Sequence, residues 1–248
     1  MSSIRTAIVG FFVLQVLTGL LLMTVYNPST ATAWGSVWYI QTQIPFGWLI
    51  RGLHHFASDA MVLLLLLYGG QLLLTQRYRP PSHLAWWTVL VAVGLTLALS
   101  LSGHLLPWDQ AGYWGTKVRT NILARTPLIG EVLAKLLIGG SEFGNLTLSR
   151  FHTLHVLVLP LALGWLFFRN VAPPLVGGAD LSRPPKADEG AAALHHLPGA
   201  VAFAAAMLIL LATVWYVRAV LGSELLDAPA DPTATDYPAR PEWHTLFL

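Results

Sequence analysis

Two short stretches of this 248-residue sequence carry side chains able to hold a metal. One is Arg51-Gly-Leu-His-His55 and the other is Arg150-Phe-His-Thr-Leu-His155. Each sets two histidines at the start of an apolar run. The run from Gly52 to Leu74 holds a single acid, Asp59, and no Lys or Arg. At ~1.5 Å per residue it crosses a ~30 Å hydrocarbon layer. Imidazole nitrogens at the edge of lipid must find partners. Two readings fit such a histidine: interfacial hydrogen bonding, or ligation of a haem iron. The same device on two separate runs favours ligation.

Composition restricts the chemistry further. Hydrophobic residues make up 55% and charged residues 10%, with mean hydropathy +0.60. Soluble domains carry roughly 25% charge, so the chain is an integral membrane protein. Its net charge of +2, with scattered basic residues, gives no footprint for nucleic acid. With no cysteine, disulfides, iron–sulfur ligation by Cys, covalent c-type haem attachment and thiolate zinc sites are excluded. A redox cofactor here must use His, Met, Tyr or carboxylate.

The elements that must position these groups are apolar helices. Ala7 to Tyr26 has a signal-like layout, with Arg5 before it and Ala31-Thr-Ala33 after it, but its apolar run exceeds an h-region. It reads as a retained transmembrane helix. Asn27 to Ile50, rich in Trp and Tyr, reads as an interfacial connection. Further spans are expected at Gly52–Leu74, Leu84–Leu106, Phe151–Phe168 and Leu197–Leu221, with short interfacial helices between Asp109 and Ser149. The predicted fold is all-α: a five-span transmembrane bundle. Residues 1–172 form a four-helix bundle, 173–196 a loop, and 197–248 the fifth span with a polar, proline-rich tail.

Several stretches in this order resemble the cytochrome b family of quinol-oxidising cytochrome bc complexes. They are Leu14-Gln-Val-Leu-Thr-Gly19, Ile50-Arg-Gly-Leu-His54, Gly103-His-Leu-Leu-Pro-Trp-Asp-Gln110 with Tyr113-Trp-Gly115, and Thr126-Pro-Leu-Ile-Gly130. Ser149-Arg-Phe-His-Thr-Leu-His155 with Leu159-Pro160, Pro229-Ala-Asp-Pro232 and Pro241-Glu-Trp243 complete the set. The resemblance implies a bundle whose second and fourth spans each carry two haem-ligating histidines. One pair serves a haem near the positive (periplasmic or lumenal) face, the other a haem near the negative face.

The positive-side ligands then map onto His54 and His155. Arg51 matches an arginine that meets a haem propionate. Gly19 and Gly103 match glycines that let the haem edge approach. His55 and His152 are left as neighbours of the ligands or as something more active. The resemblance also implies a positive-side quinol pocket, with Glu242 as proton acceptor and His244 beside it where the family has Tyr. A solvated loop acid is the other reading of Glu242. His104, also standing for a family Tyr, either packs or titrates.

The negative-side pair departs from the pattern. Fourteen residues beyond His54 stands Tyr68, and fourteen or fifteen beyond His155 stand Arg169 and Asn170. The glycines of that side are replaced by Arg5 and Val89. The expectation is one b haem, on the positive side, in a mono-haem subunit of a membrane redox complex. Such a subunit passes electrons between the quinone pool and a positive-side partner. A structural membrane anchor, or a dihaem cytochrome with Tyr68 as an unusual ligand, are the alternatives. Expected partners are other subunits, including a chain that supplies the remaining cytochrome b helices, and lipid. The basic residues alone lean weakly towards a cytoplasmic C-terminus. The resemblance puts the N-terminus in the cytoplasm, in a bacterial inner membrane.

Overall fold

The computed structural model describes residues 2–79, 83–140, 142–170, 189–220 and 225–240. All its named elements are helical: α1 (Ser2–Met23), α2 (Ala33–Thr42), α3 (Gly47–Leu74), α4 (His83–His104), α5 (Gln110–Ala124), α6 (Gly130–Ile138), α7 (Asn145–Thr153), a π turn (Leu154–Val158), α8 (Leu159–Asn170) and α9 (Glu189–Ala219). Five stretches are long and apolar enough to cross a membrane: Ile4–Met23, Gly47–Leu74, His83–His104, Asn145–Arg169 and Gly199–Ala219. The predicted all-α, five-span bundle is the fold observed.

The boundaries differ in ways that have physical causes. The first span ends at Met23 rather than Tyr26, because Asn27 precedes Pro28 and that position disfavours the α region. The interfacial connection contains a helix of its own, α2. The second span begins at Gly47, five residues before the apolar run, after a left-handed Phe46 at φ 60°. Arg51 therefore sits inside the helix. The fourth span begins at Asn145 and runs through the π turn, so its polar first turns belong to the same rod. α9 begins at Glu189, inside the segment read as loop.

The core lies between α1, α3, α4, α8 and α9. Ile8, Phe11, Ala57, Met61, Leu65, Leu72, Ala92, Leu163 and Leu210 are buried in one cluster. Two glycines let α9 lie close against it. A Cβ on Gly10 would come 2.6 Å from the Phe203 ring, and one on Gly52 would come 2.6 Å from Val214. Phe203 also meets Phe11 edge-on, with ring centroids 5.4 Å apart. Small residues at such crossings replace a hydrophobic driving force that lipid cannot supply.

A second cluster caps one end of the bundle: Ala33, Leu105, Trp108, Tyr113, Leu148 and Phe151. Here the chain turns at Pro107, with Trp108 left-handed at φ 51°. The Asp109 carboxylate caps α5 by accepting from the Gly112 N–H at 2.8 Å. The same turn clasps the segment after α9. The Gln110 N–H donates to the Ala228 carbonyl at 2.9 Å, and the Ala230 N–H donates to the Trp108 carbonyl at 3.0 Å. The Asp227 N–H donates to Asp109 Oδ2 at 3.2 Å, and Trp34 Nε1 donates to the Asp227 carbonyl at 2.8 Å.

Candidate haem site

His54 on α3 and His155 in the π turn face one another, with ring centroids 6.1 Å apart and planes at 75°. Both rings are half-buried at the clasped end of the bundle. Each is held through Nδ1. The Leu99 carbonyl accepts from His155 Nδ1 at 2.9 Å, and a carbonyl can only accept, so that nitrogen carries the proton. Ser102 Oγ lies 3.2 Å from the same nitrogen. On the other ring, Thr18 Oγ1 lies 2.9 Å from His54 Nδ1. The Thr18 hydroxyl proton is committed to the Leu14 carbonyl at 2.7 Å, and the Gln15 carbonyl also accepts from His54. His54 Nδ1 therefore donates too. In both rings Nε2 is left as the lone-pair nitrogen, the form that ligates a metal.

The backbone explains how His155 reaches this position. Pro160 has no N–H and its ring clashes with the carbonyl four residues back, Val156. The helix widens there, and the Leu159 N–H bonds to the Leu154 carbonyl five residues back. A π turn re-aims one side chain within an otherwise regular helix, and such turns cluster at functional sites.

Whether these residues fit a bis-histidine haem can be judged from the spacing. At 6.1 Å between ring centroids, the two imidazoles lie close enough for one metal to be reached by both. The glycines supply the rest of the cradle. A Cβ on Gly103 would come 2.6 Å from His155 Cε1, and one on Gly19 would come 3.1 Å from His54 Cε1. The donor set, the fixed tautomers and the glycines that make room for the two rings all suit the group.

The expected neighbours are now placed. Arg51 donates to Gln41 Oε1 and to the Leu225 carbonyl, which ties α3 to α2 and to the segment after α9. His152 stacks on Tyr26, with centroids 5.5 Å apart at 24°. The Tyr26 hydroxyl donates to the Leu106 carbonyl at 2.7 Å, and burial holds this phenol well above its ordinary pKa. His55 is exposed and lies edge-on to Phe56. His104 Nε2 lies 3.3 Å from the Ala111 carbonyl, under α5. Glu242 and His244 lie outside the described residues. Sequence reasoning missed Thr18, Ser102 and the Leu99 carbonyl as holders of the imidazoles, although Thr18 and Gln15 stand inside the first motif.

Residues 3–171 match the family described as Cytochrome b/b6/petB. The chain belongs to the cytochrome b family. Cytochrome b6 of Auxenochlorella protothecoides is 42% identical over 150 residues, which cover 60% of this chain and 70% of that protein. Cytochrome b6 of Prochlorococcus marinus (strain MIT 9515) is 40% identical over 152 residues, covering 61% of this chain and 70% of the relative. Among solved structures, a chain of "Hyperthermophilic respiratory Complex III" superposes with TM-score 0.80 at 25% identity, over 99% of this chain and 67% of that one. Membership makes this cytochrome b a membrane redox subunit of the haem b-binding class.

The other end of the bundle differs. Tyr68 and Val89 are buried, and Gly69 lies against Val89. Tyr68, Val89 and Arg5 narrow the space between α1, α3, α4 and α8 without filling it. A cavity of about 240 Å³ remains, lined also by Ile8, Leu65 and Phe167.

Proposed function

We propose that this chain is a mono-haem b-type cytochrome subunit that passes electrons between the membrane quinone pool and a partner on the positive side. The observation that carries the reading is the facing pair His54 and His155, each with Nδ1 tied down and Nε2 turned to lone-pair duty. When bound, haem b supplies one-electron redox chemistry. The chain supplies the rest. His54 and His155 would hold the haem iron, and Gly19 and Gly103 would keep the helix surfaces beside them clear. Arg51, at the same end as His54, would be the cation for a propionate, with Gln41 and the Leu225 carbonyl holding its guanidinium in place.

Tyr68, with Arg169 or Asn170, stands in place of ligands at the opposite face, ~21 Å away by helix rise, so the reading is one haem per chain. Glu242 and His244 are the proton handlers of a positive-side quinol site. A carboxylate and an imidazole together cover the pH range in which quinol protons are released. Other subunits of a membrane redox complex supply the positive-side acceptor. The membrane is a bacterial inner membrane with the N-terminus cytoplasmic.

The test is haem stoichiometry with redox titration of the intact complex. One b haem per chain, reduced by quinol and lost in H54A and in H155A, supports the reading. Two b haems per chain overturn it in favour of a dihaem protein. A single haem inert to quinol leaves a structural anchor.

A further inference from the structure

The cavity at the Arg5 end is built from two kinds of surface. Most of its lining is apolar: Ile8, Leu65, Val89 and Phe167 among others. Three polar residues join them, Arg5, Tyr68 and Thr88, and the Thr88 hydroxyl is already spent on the Leu84 carbonyl at 2.8 Å. Tyr68 is only 7% exposed. Its hydroxyl makes no hydrogen bond among the described residues, and neither does the Arg5 guanidinium make a hydrogen bond or ion pair there. A phenol lining the cavity and a half-buried guanidinium at the end of a span are both donors that an acceptor there would satisfy.

Depth and charge restrict what that acceptor can be. Arg5 stands in the first turns of α1, Tyr68 in the last turns of α3, and Phe167 in the last turn of α8. The cavity therefore lies at headgroup depth, reaching inward along apolar walls. Arg77 and Arg79 follow α3, and Arg169 closes α8 over the Trp165 ring. Four arginines thus surround one end of the bundle. Among the described side chains of residues 4–12, 64–79, 83–93 and 163–169 there is no Asp or Glu to balance them. An occupant must bring negative charge at one end and hydrocarbon at the other.

We propose that this cavity is a binding site for one anionic phospholipid. Its phosphate meets Arg5, its ester or phosphate oxygens accept from Tyr68, and one acyl chain lies along Ile8, Leu65, Val89 and Phe167. The site rests in part on the one-haem reading, because a porphyrin and a lipid chain cannot share this space. The lipid fills a gap that would otherwise leave its lining without packing partners.

The test is native mass spectrometry of the detergent-extracted full-length protein in its complex, offered phosphatidylglycerol or phosphatidylcholine with identical chains. One phosphatidylglycerol is expected to stay bound in preference to phosphatidylcholine. R5Q should reduce that preference about fivefold, the effect of roughly one juxtamembrane charge, and R5K should restore it. A85F, which grows into the cavity from α4, should expel both lipids. If A85F does not fold, the R5Q and R5K pair decides. Equal retention of the two lipids, or a preference unchanged in R5Q, overturns the site. Displacement by inorganic phosphate alone overturns the acyl part. A pyridine haemochrome count of two haems in the same preparation overturns the lipid site and the one-haem reading together. A count of one with no lipid preference overturns the lipid site alone.

Discussion

At the scale of single residues, the imidazoles are set by groups that never touch their Nε2 atoms. Thr18 accepts from His54, and removing its hydroxyl leaves the Gln15 carbonyl as the remaining acceptor. T18V is expected to keep the fold, cost about 0.5–1.5 kcal/mol, and weaken haem retention on the order of tenfold. Thermal unfolding and haem dissociation rate measure the two effects separately. Gly103 is the less tolerant position. A Cβ there already meets His155 Cε1 at 2.6 Å, so G103V must push the ring or the helix aside. The expected result is a destabilisation of about 1–3 kcal/mol and loss of the b-type absorbance, read from a spectrum of the purified protein.

The pairing of His54 with His155 and the glycines beside them were legible in the sequence because each belongs to a short motif with fixed spacing. Their holders were legible only in part. Thr18 stands inside a motif, but no pattern of residue types shows which backbone carbonyl meets His155. The Leu99 carbonyl reaches it only because α4 packs on the fourth span at one particular height.

At the scale of elements, the five spans follow from apolar runs long enough to cross a bilayer, and they were readable as such. Their ends were not, because helices continue past the hydrocarbon into polar turns such as Asn145–Arg150. The π turn was also hidden. Pro160 was visible, but a proline inside a helix signals a kink without saying which way the chain will relieve it. P160A restores an N–H and removes the clash with Val156. The segment should relax towards a regular α turn, with a gain in stability of up to about 3 kcal/mol. His155 should then leave its place opposite His54. Unfolding temperature should rise while bound haem falls, and a substitution that lowers both would contradict this account of the turn.

At the scale of the whole molecule, the segment after α9 is fastened to the end of the bundle where the histidines lie. The motifs Gly103–Gln110 and Pro229–Pro232 are far apart in sequence yet bond to each other, and no periodicity announces such a pairing. The Tyr237 hydroxyl donates to Asp227 Oδ2 at 2.6 Å and strengthens the clasp. Burial, and then Asp227 itself, push this phenol from 10.0 up to about 12. A phenol raised in the folded state favours the fold while both states are protonated. Its contribution is whole below pH 10 and fades as pH climbs through 10 towards 12. The difference in unfolding temperature between wild type and Y237F should shrink over that interval. A difference that grew there would reverse the sign and refute the hydrogen bond.

The grip on Ala228 and Ala230 by Trp108 and Gln110, with Phe203 and Val214 seated in the notches at Gly10 and Gly52, makes peptide continuity dispensable for cohesion. Scission by a protease at a site engineered between residues 171 and 188 should yield two fragments that co-migrate as one particle in mild detergent. Only denaturant should part them. Two separately synthesised halves, divided at the same place, should reconstitute the same assembly.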